Sequence, residues 1–360
     1  MKISICGDVS TTYSANLFKS RDNEALFGDV PSAFLDSDRV IVNLECALTE
    51  KETPILKKGP NLKGPIETAS VLKEIGVTDC AISNNHIMDY GIAGILDTKK
   101  ALLAAELNFT GFGENYEDSR KNLVLEADGK RVAIIAVCEH EYCYALENRL
   151  GARPFDPYDT LEDIRSAKAE CDFVIVLYHG GKEQSVYPSP RLRKASQAMA
   201  KAGADVILCQ HSHCIGCYEC YLDSHILYGQ GNFHFTGRSE HPHWQSGLIA
   251  EITLKDKANI RFIPVKVNGL GIELARGKDY DAIMDALDAQ SKNLHNGVWL
   301  KKWDEFCESV KERYLGNIER VFTDAATESD AELFSGRMHC EAHKDVIEWL
   351  CKHYWERREI

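Results

Sequence analysis

Ala204-Asp205-Val206-Ile207-Leu208-Cys209-Gln210-His211-Ser212-His213 is an apolar run that ends in two imidazoles. The run Ala204–Leu208 predicts a buried strand, and the histidines follow its carboxyl end. Four other segments repeat the pattern. Phe173–Leu177 leads into Tyr178-His179-Gly180-Gly181, and Val40–Leu44 runs into Glu45. Ala81–Ser83 runs into Asn84-Asn85-His86, and the opening Lys2–Cys6 is followed by Gly7-Asp8. Open α/β sheets bind ligands at the carboxyl ends of their strands. Five such ends, each delivering an Asp, Glu, Asn or His, can gather the oxygen and nitrogen donors that a pair of hard or borderline cations requires.

Composition sets bounds around this pattern. A chain of 360 residues can hold one large α/β domain plus an appendage. Its 44% hydrophobic and 27% charged content is that of a soluble globular protein. A formal net charge of −13 disfavours nucleic acid and anionic membranes as partners. A polyanionic substrate would also be repelled unless cations at the site reverse the local field. The apolar stretch at Met1–Cys6 is too short for a signal peptide, and no run has the length of a membrane helix. The expectation is a cytoplasmic protein without a membrane anchor. Its thirteen cysteines then read as reduced core residues.

Strand and helix patterns alternate through the first 235 or so residues, which argues for a layered α/β domain. Val71–Ile75 with its flanks, closed by Gly76, predicts a helix. So does Gly91–Leu107, with Ile92, Ile95, Leu96, Leu102 and Leu103 as its apolar residues. Leu123–Glu126 and Arg131–Val137, joined by Asp128-Gly129, predict a β-hairpin. Thr160–Glu170 is a predicted helix with Asp159 as N-cap, and Pro190–Ala202 is another, stopped by Gly203. Val206–Cys209, His225–Tyr228, Gly247–Leu254 and Arg261–Val267 complete the strands. The domain is placed at residues 1–271 and a helical appendage at 272–360. Within the appendage Asp279–Leu294, Val298–Phe322 and Ala331–Arg358 are helix-patterned, with Trp299, Trp303, Phe306, Val310 and Leu315 as a buried stripe. Its residues show no recognisable chemistry, so a structural role is expected, packed on the domain or on a second subunit of a homo-oligomer.

The chemistry-bearing residues differ in specificity. Gly7-Asp8 after a strand reads either as a turn or as a carboxylate aimed into a crevice. Glu45 reads either as a solvated strand-end carboxylate or as a bridge between two divalent ions, one oxygen to each. Asn84-Asn85-His86 is more telling, because two amides and an imidazole in a row are poor core material. An amide oxygen can ligate a hard cation, an imidazole can act as general acid or ligand, and Asp89 can fix that imidazole's tautomer. His179 lies beside two glycines that admit close backbone approach. His211 and His213 can face one site if the chain bends between them, and neutral imidazole is the ligating form. Cys214, Cys217 and Cys220 have zinc-like spacing, but the segment reads better as the first arm of a hairpin. His234, His241 and His243 line a substrate pocket or are surface imidazoles, the second being the plainer reading. There is no nucleophile-elbow Gly-x-Ser-x-Gly, Walker loop or dinucleotide fingerprint.

Taken in order, these motifs resemble the bacterial capsule-synthesis (CapA-type) family. That family is associated with poly-γ-glutamate and related polymers and has a calcineurin-like metallophosphoesterase fold. The matching pieces are Gly7-Asp8-Val9, Asn43-Leu44-Glu45, Asn84-Asn85-His86 with Asp89-Tyr90-Gly91, Gly111-Phe112-Gly113, His179-Gly180-Gly181 with Glu183, Gly203-Ala204-Asp205, Gln210-His211-Ser212-His213, and Gly231-Asn232-Phe233 with Phe235. The resemblance implies a four-layer α/β/β/α sandwich with one or two divalent ions (Mn, Fe, Zn or Mg). It implies Glu45 as bridge, Asp8 and His213 on one ion, and Asn85, His179 and His211 on the other. His86, with Asp89, becomes the general acid or phosphate contact, and Asn84, Glu183, Asn232 and His234 become substrate contacts. The chain departs from dimetal phosphoesterases at Ser10, where they carry a histidine. It departs from the capsule family at Gly180 and Ser212, where Trp and Pro are common.

Three functions follow as expectations. The first is a metal-dependent hydrolase acting on a phosphoester. The second is a non-catalytic accessory protein of polymer biosynthesis with a degenerate site, which Ser10 favours. The third is a metal-dependent amide or γ-glutamyl hydrolase. The partner in each is a small-molecule or polymer substrate, phosphorylated or polyglutamate.

Overall fold

The computed structural model describes residues 1–238 and 240–356. The five chemistry-bearing strands divide between two sheets. The first has the order Gly271–Leu274, Ala258–Asn268, Ser246–Leu254, Lys2–Val9, Arg39–Leu44, Asp79–Ala81, Asn108–Thr110, with Asn232–His234 paired to the end of Lys2–Val9. The second has the order Tyr218–Tyr221, Ser224–Leu227, Val206–Gln210, Phe173–His179, Lys130–Cys138, Leu123–Ala127. The central strands of both are parallel. Buried on both faces, they read in sequence as continuous apolar runs.

The sheets pack face to face. Ile3, Ile5 and Ile41 of the first meet Ile134, Ile175 and Leu208 of the second in one core. The outer face of the first sheet is covered by Phe18, Leu26, Leu72, Ile95 and Leu102 from helices. The outer face of the second is covered by Ile164, Leu192 and Met199. The result is the expected α/β/β/α sandwich.

Local details refine the expectations. The helix Pro157–Glu170 begins three residues early because Asp156, not Asp159, is its N-cap, accepting from the N–H groups of Tyr158 and Asp159. Pro190–Ala202 has the expected bounds, with Ser189 as N-cap and Gly203 at φ 119° as its left-handed stop. Gly91–Ala104 buries Gly94, Ile95, Thr98, Ala101 and Leu102, and leaves the apolar Ile92, Leu96 and Leu103 exposed. Its buried face combines Ile95 and Leu102 with the smaller Gly94, Thr98 and Ala101. The two hairpins form as predicted, Leu123–Ala127 with Lys130–Cys138 and Tyr218–Tyr221 with Ser224–Leu227. All thirteen cysteines are free, and Cys214 and Cys217 are buried.

Gly271–Leu274 pairs with Ala258–Asn268, so the sheet runs past the expected boundary at 271. The appendage comprises Lys278–His295, Val298–Val321, Glu328–His339 and Glu341–Glu356. The single helix expected over Ala331–Arg358 is two, broken at Cys340, and its last residues Arg357 and Arg358 lie outside the described residues. Trp303, Cys307, Tyr314, Val346 and Leu350 form its own small core, joined by Phe306, Val310 and Leu315. Trp299 packs instead against the main domain. The appendage is tied down by polar contacts as well. Asp345 accepts from Ser189 Oγ at 2.5 Å and Arg191 Nε at 2.9 Å, and Glu341 lies 2.6 Å from His140 Nδ1. Among the described residues no helix is long and apolar enough to cross a membrane.

Candidate metal centre

The carboxyl ends of both sheets meet at one buried point. Ligand atoms of Glu45, His179 and His211 lie within 4.8 Å of one another, and so do those of Asp8, Glu45 and His213. The two triads share Glu45. Glu45 Oε1 is 3.4 Å from His179 Nε2 and 3.9 Å from His213 Nε2. On the far side Asp8 Oδ2 is 3.4 Å from His213 Nδ1. Asn85 Oδ1 is 3.0 Å from His179 Nε2, which is itself 3.2 Å from His211 Nδ1. The six residues expected to converge therefore do so, although Asp8 and His211 are separated by some two hundred positions.

Backbone conformation delivers the two histidines. His211 has φ 85° and His213 φ 53°, both in the left-handed region that side chains rarely adopt. Such strain costs about 1–3 kcal/mol per residue and collects at functional sites. It bends the chain so that both rings face the same cluster, with centroids 6.0 Å apart. Gly7 serves a related purpose. A Cβ there would lie 2.1 Å from Gly231 O, so only glycine lets the neighbouring strand approach Asp8.

A second layer orients the first. Asn43 Nδ2 donates to Asp8 Oδ1 at 2.7 Å and lies 3.0 Å from His179 Nδ1. The His211 N–H donates to Asp8 Oδ2 at 3.0 Å. Asn232 Oδ1 is 2.9 Å from His213 Nδ1. Glu141 accepts from Asn85 Nδ2 at 2.8 Å, and its other oxygen is 3.8 Å from His211 Nε2. Partners of this kind fix ring orientation and tautomer.

Electrostatics mark the cluster as one that wants positive charge. Both Glu45 oxygens are buried and accept no hydrogen bond. Burial, and then Glu183 and Glu141, raise the Glu45 carboxyl well above its ordinary range. Burial and Glu45 push Asp8 up to about 6. Burial lowers His179 and His213 to about 4, so both are neutral, the form that ligates. An orphaned buried carboxylate ringed by neutral imidazoles, a second carboxylate and an amide oxygen is a donor set that could hold a divalent cation. Ser10 turns its hydroxyl to Thr12 Oγ1 at 3.2 Å and adds no donor.

Beside the cluster lies a cavity of about 620 Å³. His86 lines it, and His86 Nδ1 is 2.6 Å from Asp89 Oδ2 and 3.1 Å from Lys57 Nζ. Lys57 also ion-pairs with Asp89. Burial, then Lys57 and the neighbouring histidines, hold the His86 imidazole well below its ordinary pKa. Glu183 lines the cavity as expected. Its side chain is exposed at the cavity wall, next to Lys182.

Three expected substrate contacts lie elsewhere. Asn84 is fully buried and spends its amide on Leu44 O and Asn43, with its oxygen accepting from the His86 N–H. Asn232 serves His213, as above, and Trp244 O. His234 is neither a pocket wall nor a surface imidazole. It is fully buried between Phe18 and Phe27, with both ring nitrogens unpartnered, and burial lowers its pKa to about 4. His243 is exposed and His241 partly so, as expected.

Glu141 and Lys57 were not anticipated. Glu141 follows the strand Lys130–Cys138, so the strand-end rule that found the other ligands reaches it too. Lys57 sits in a long polar loop without periodicity and gives no local signal. The appendage was expected to be scaffold alone, yet Arg313, Tyr314, Arg337 and His343 form one wall of the cavity.

Comparison with known proteins agrees with the motif order. The chain is 32% identical over 219 residues to the capsule biosynthesis protein CapA of Bacillus anthracis, covering 58% of this chain and 53% of that one. It is 30% identical over 240 residues to the PGA biosynthesis protein CapA of Bacillus subtilis (strain 168), covering 65% and 63%. A probable polyglutamine synthesis accessory protein of Mycobacterium tuberculosis is 23% identical over 72% of this chain and 73% of its own length. The chain thus spans between half and two thirds of the first two relatives. The solved structure of a hypothetical protein from Thermus thermophilus superposes with a TM-score of 0.44 at 15% identity, covering 73% of this chain and 99% of that one. The family model for the bacterial capsule synthesis protein PGA_cap matches residues 2–236, the span that carries every residue of the metal-ready cluster, and the chain belongs to that family.

Proposed function

We propose that this protein is a metal-dependent hydrolase of phosphoesters that acts in the biosynthesis of a capsule-type or polyglutamate polymer. The observation that carries the reading is the pair of triads sharing Glu45, whose two carboxylate oxygens are buried without a partner. Asp8, Glu45 and His213 would hold one cation, and Glu45, Asn85, His179 and His211 the other. When bound, such ions supply Lewis acidity to the phosphoryl oxygens and offset the repulsion expected from a chain of net charge −13.

The chain's own groups do the rest. Asn43, Asn232 and Glu141 hold the ligating side chains in place. Asp89 accepts from His86 Nδ1, which leaves Nε2 of a neutral imidazole to take the proton released by the attacking water and pass it to the leaving oxygen. Lys57 keeps Asp89 in position and adds positive charge to the cavity wall.

The test is hydrolysis of an aryl phosphate and an aryl phosphodiester by full-length protein, before and after chelation. Activity restored by Mn or Zn, and at least 100-fold lower in His86→Ala, is the expected result. Equal activity in chelated and metal-loaded protein would overturn the reading. Cleavage of a γ-glutamyl amide in the same cavity is a second reading, favoured by the PGA biosynthesis and polyglutamine synthesis names of the relatives. A γ-glutamyl anilide run beside the phosphoesters separates the two.

A further inference from the structure

The appendage places charge where a scaffold would place none. Arg337 is only 3% exposed. Its guanidinium has no carboxylate within ion-pair distance among the described residues. One N–H donates to Arg313 O at 2.9 Å, Nε is buried without a partner, and the plane lies 4.4 Å from the centre of the Tyr314 ring. A buried cation left without a counter-charge is costly, and a cation–π contact recovers only part of that. Tyr314 is in turn fixed by His343, whose Nδ1 lies 2.6 Å from its hydroxyl. The arginine is therefore held in place by groups that do not neutralise it.

Other cations face the same space. Arg313 is exposed at the cavity and also lacks a carboxylate partner among the described residues. Lys58 and Lys182 line the cavity from the main domain, against Glu183 and Glu332. This local surplus of positive charge sits in a chain of net charge −13. Arg313, Tyr314, Arg337 and His343 all fall outside the family match at 2–236.

We propose that the appendage half of the cavity is an anion subsite, in which Arg313 and Arg337, with Lys182, bind a second negatively charged group of the ligand, a phosphate or a carboxylate. Arg337 supplies the buried donor left unpaired in the free protein, and planar guanidinium suits either anion. The ligand is then at least doubly anionic, with one group at the Glu45 cluster and one here. The placement of the first group rests on the proposed function, but the subsite itself does not.

The experiment is calorimetric titration of full-length, EDTA-treated protein with inorganic phosphate and, separately, tricarballylate. At least one anion is expected to bind, and the two arms tell phosphate from carboxylate. Arg313→Ala, at an exposed position that does not endanger folding, should weaken binding at least tenfold, as should Lys182→Ala. Arg276→Ala, which removes an exposed charge that does not line this cavity, should leave it within twofold. Absence of binding to either anion would overturn the proposal, as would unchanged binding in both cavity variants or an equal loss of binding in Arg276→Ala. Because no metal is present, failure of metal-dependent turnover leaves this result standing.

Discussion

Glu45→Gln is the sharpest single perturbation of the cluster. One carboxylate serves both triads, so one substitution should weaken both sites at once. A ligand at 100 times its dissociation constant stabilises the folded state by about 2.7 kcal/mol. With an unfolding entropy of about 2.1 cal/mol/K per residue, a 360-residue chain should gain about 3.5 °C per ion, or about 7 °C for two. If the substitution weakens each site about 100-fold, the same metal concentration only matches the new dissociation constant. The gain per site then falls to about 0.4 kcal/mol, under about 1 °C. The metal-free variant should melt no lower than metal-free wild type, because the amide replaces a buried carboxylate that has no partner. Differential scanning calorimetry with and without Mn reads both quantities. A variant that gains as much from metal as wild type does would refute the bridging role of Glu45, and a metal-free variant melting several degrees lower would refute the view that its carboxylate is uncompensated.

Other substitutions probe separate parts of the structure. Asp89→Asn leaves the triads intact but removes the negative charge that faces His86 Nδ1 and Lys57, so phosphoesterase kcat should fall about 10- to 100-fold with KM changed little, as steady-state kinetics would show. Gly7→Ala forces a Cβ to within 2.1 Å of Gly231 O and should destabilise the fold by about 2 kcal/mol or more in chemical denaturation. Glu219 is buried and bound by Arg193, Gln197 and Tyr228, and these outweigh burial to hold its pKa below the ordinary value. A depressed folded pKa contributes stability above the unfolded value that is lost as pH falls through the folded one. Glu219→Gln should therefore cost about 3 kcal/mol at pH 7, and urea titrations should show the gap to wild type closing on acidification below about pH 4.

The cluster was legible because each ligand sits at the end of a doubly buried strand. Apolar runs such as Val206–Leu208 announce the strand, and a polar residue directly after one must find a partner. His234 shows the limit of that reasoning. It also ends a strand, but it turns to the opposite face, into Phe18 and Phe27, and which face a terminal residue takes is decided by pairing that the sequence does not print. Asn84 and Asn232 fail in the same way, since an amide that braces a loop and one that lines a cavity look alike in sequence. The exposed Ile92, Leu96 and Leu103, beside the buried Ile95 and Leu102, show that an apolar pattern wider than the contact does not tell which of its residues are buried. The appendage was opaque for a different reason. Arg313 and Arg337 look like ordinary charges on amphipathic helices, and only the docking through Asp345 and Glu341 brings them to the cavity.

Anomalous diffraction from Mn-soaked crystals of the full chain tests the central claim most directly. The account predicts density on both sides of the Glu45 carboxylate, with Asp8 and His213 beside one peak and Asn85, His179 and His211 beside the other. Manganese bound elsewhere, or none within coordination distance of Glu45 at saturating concentration, would contradict it.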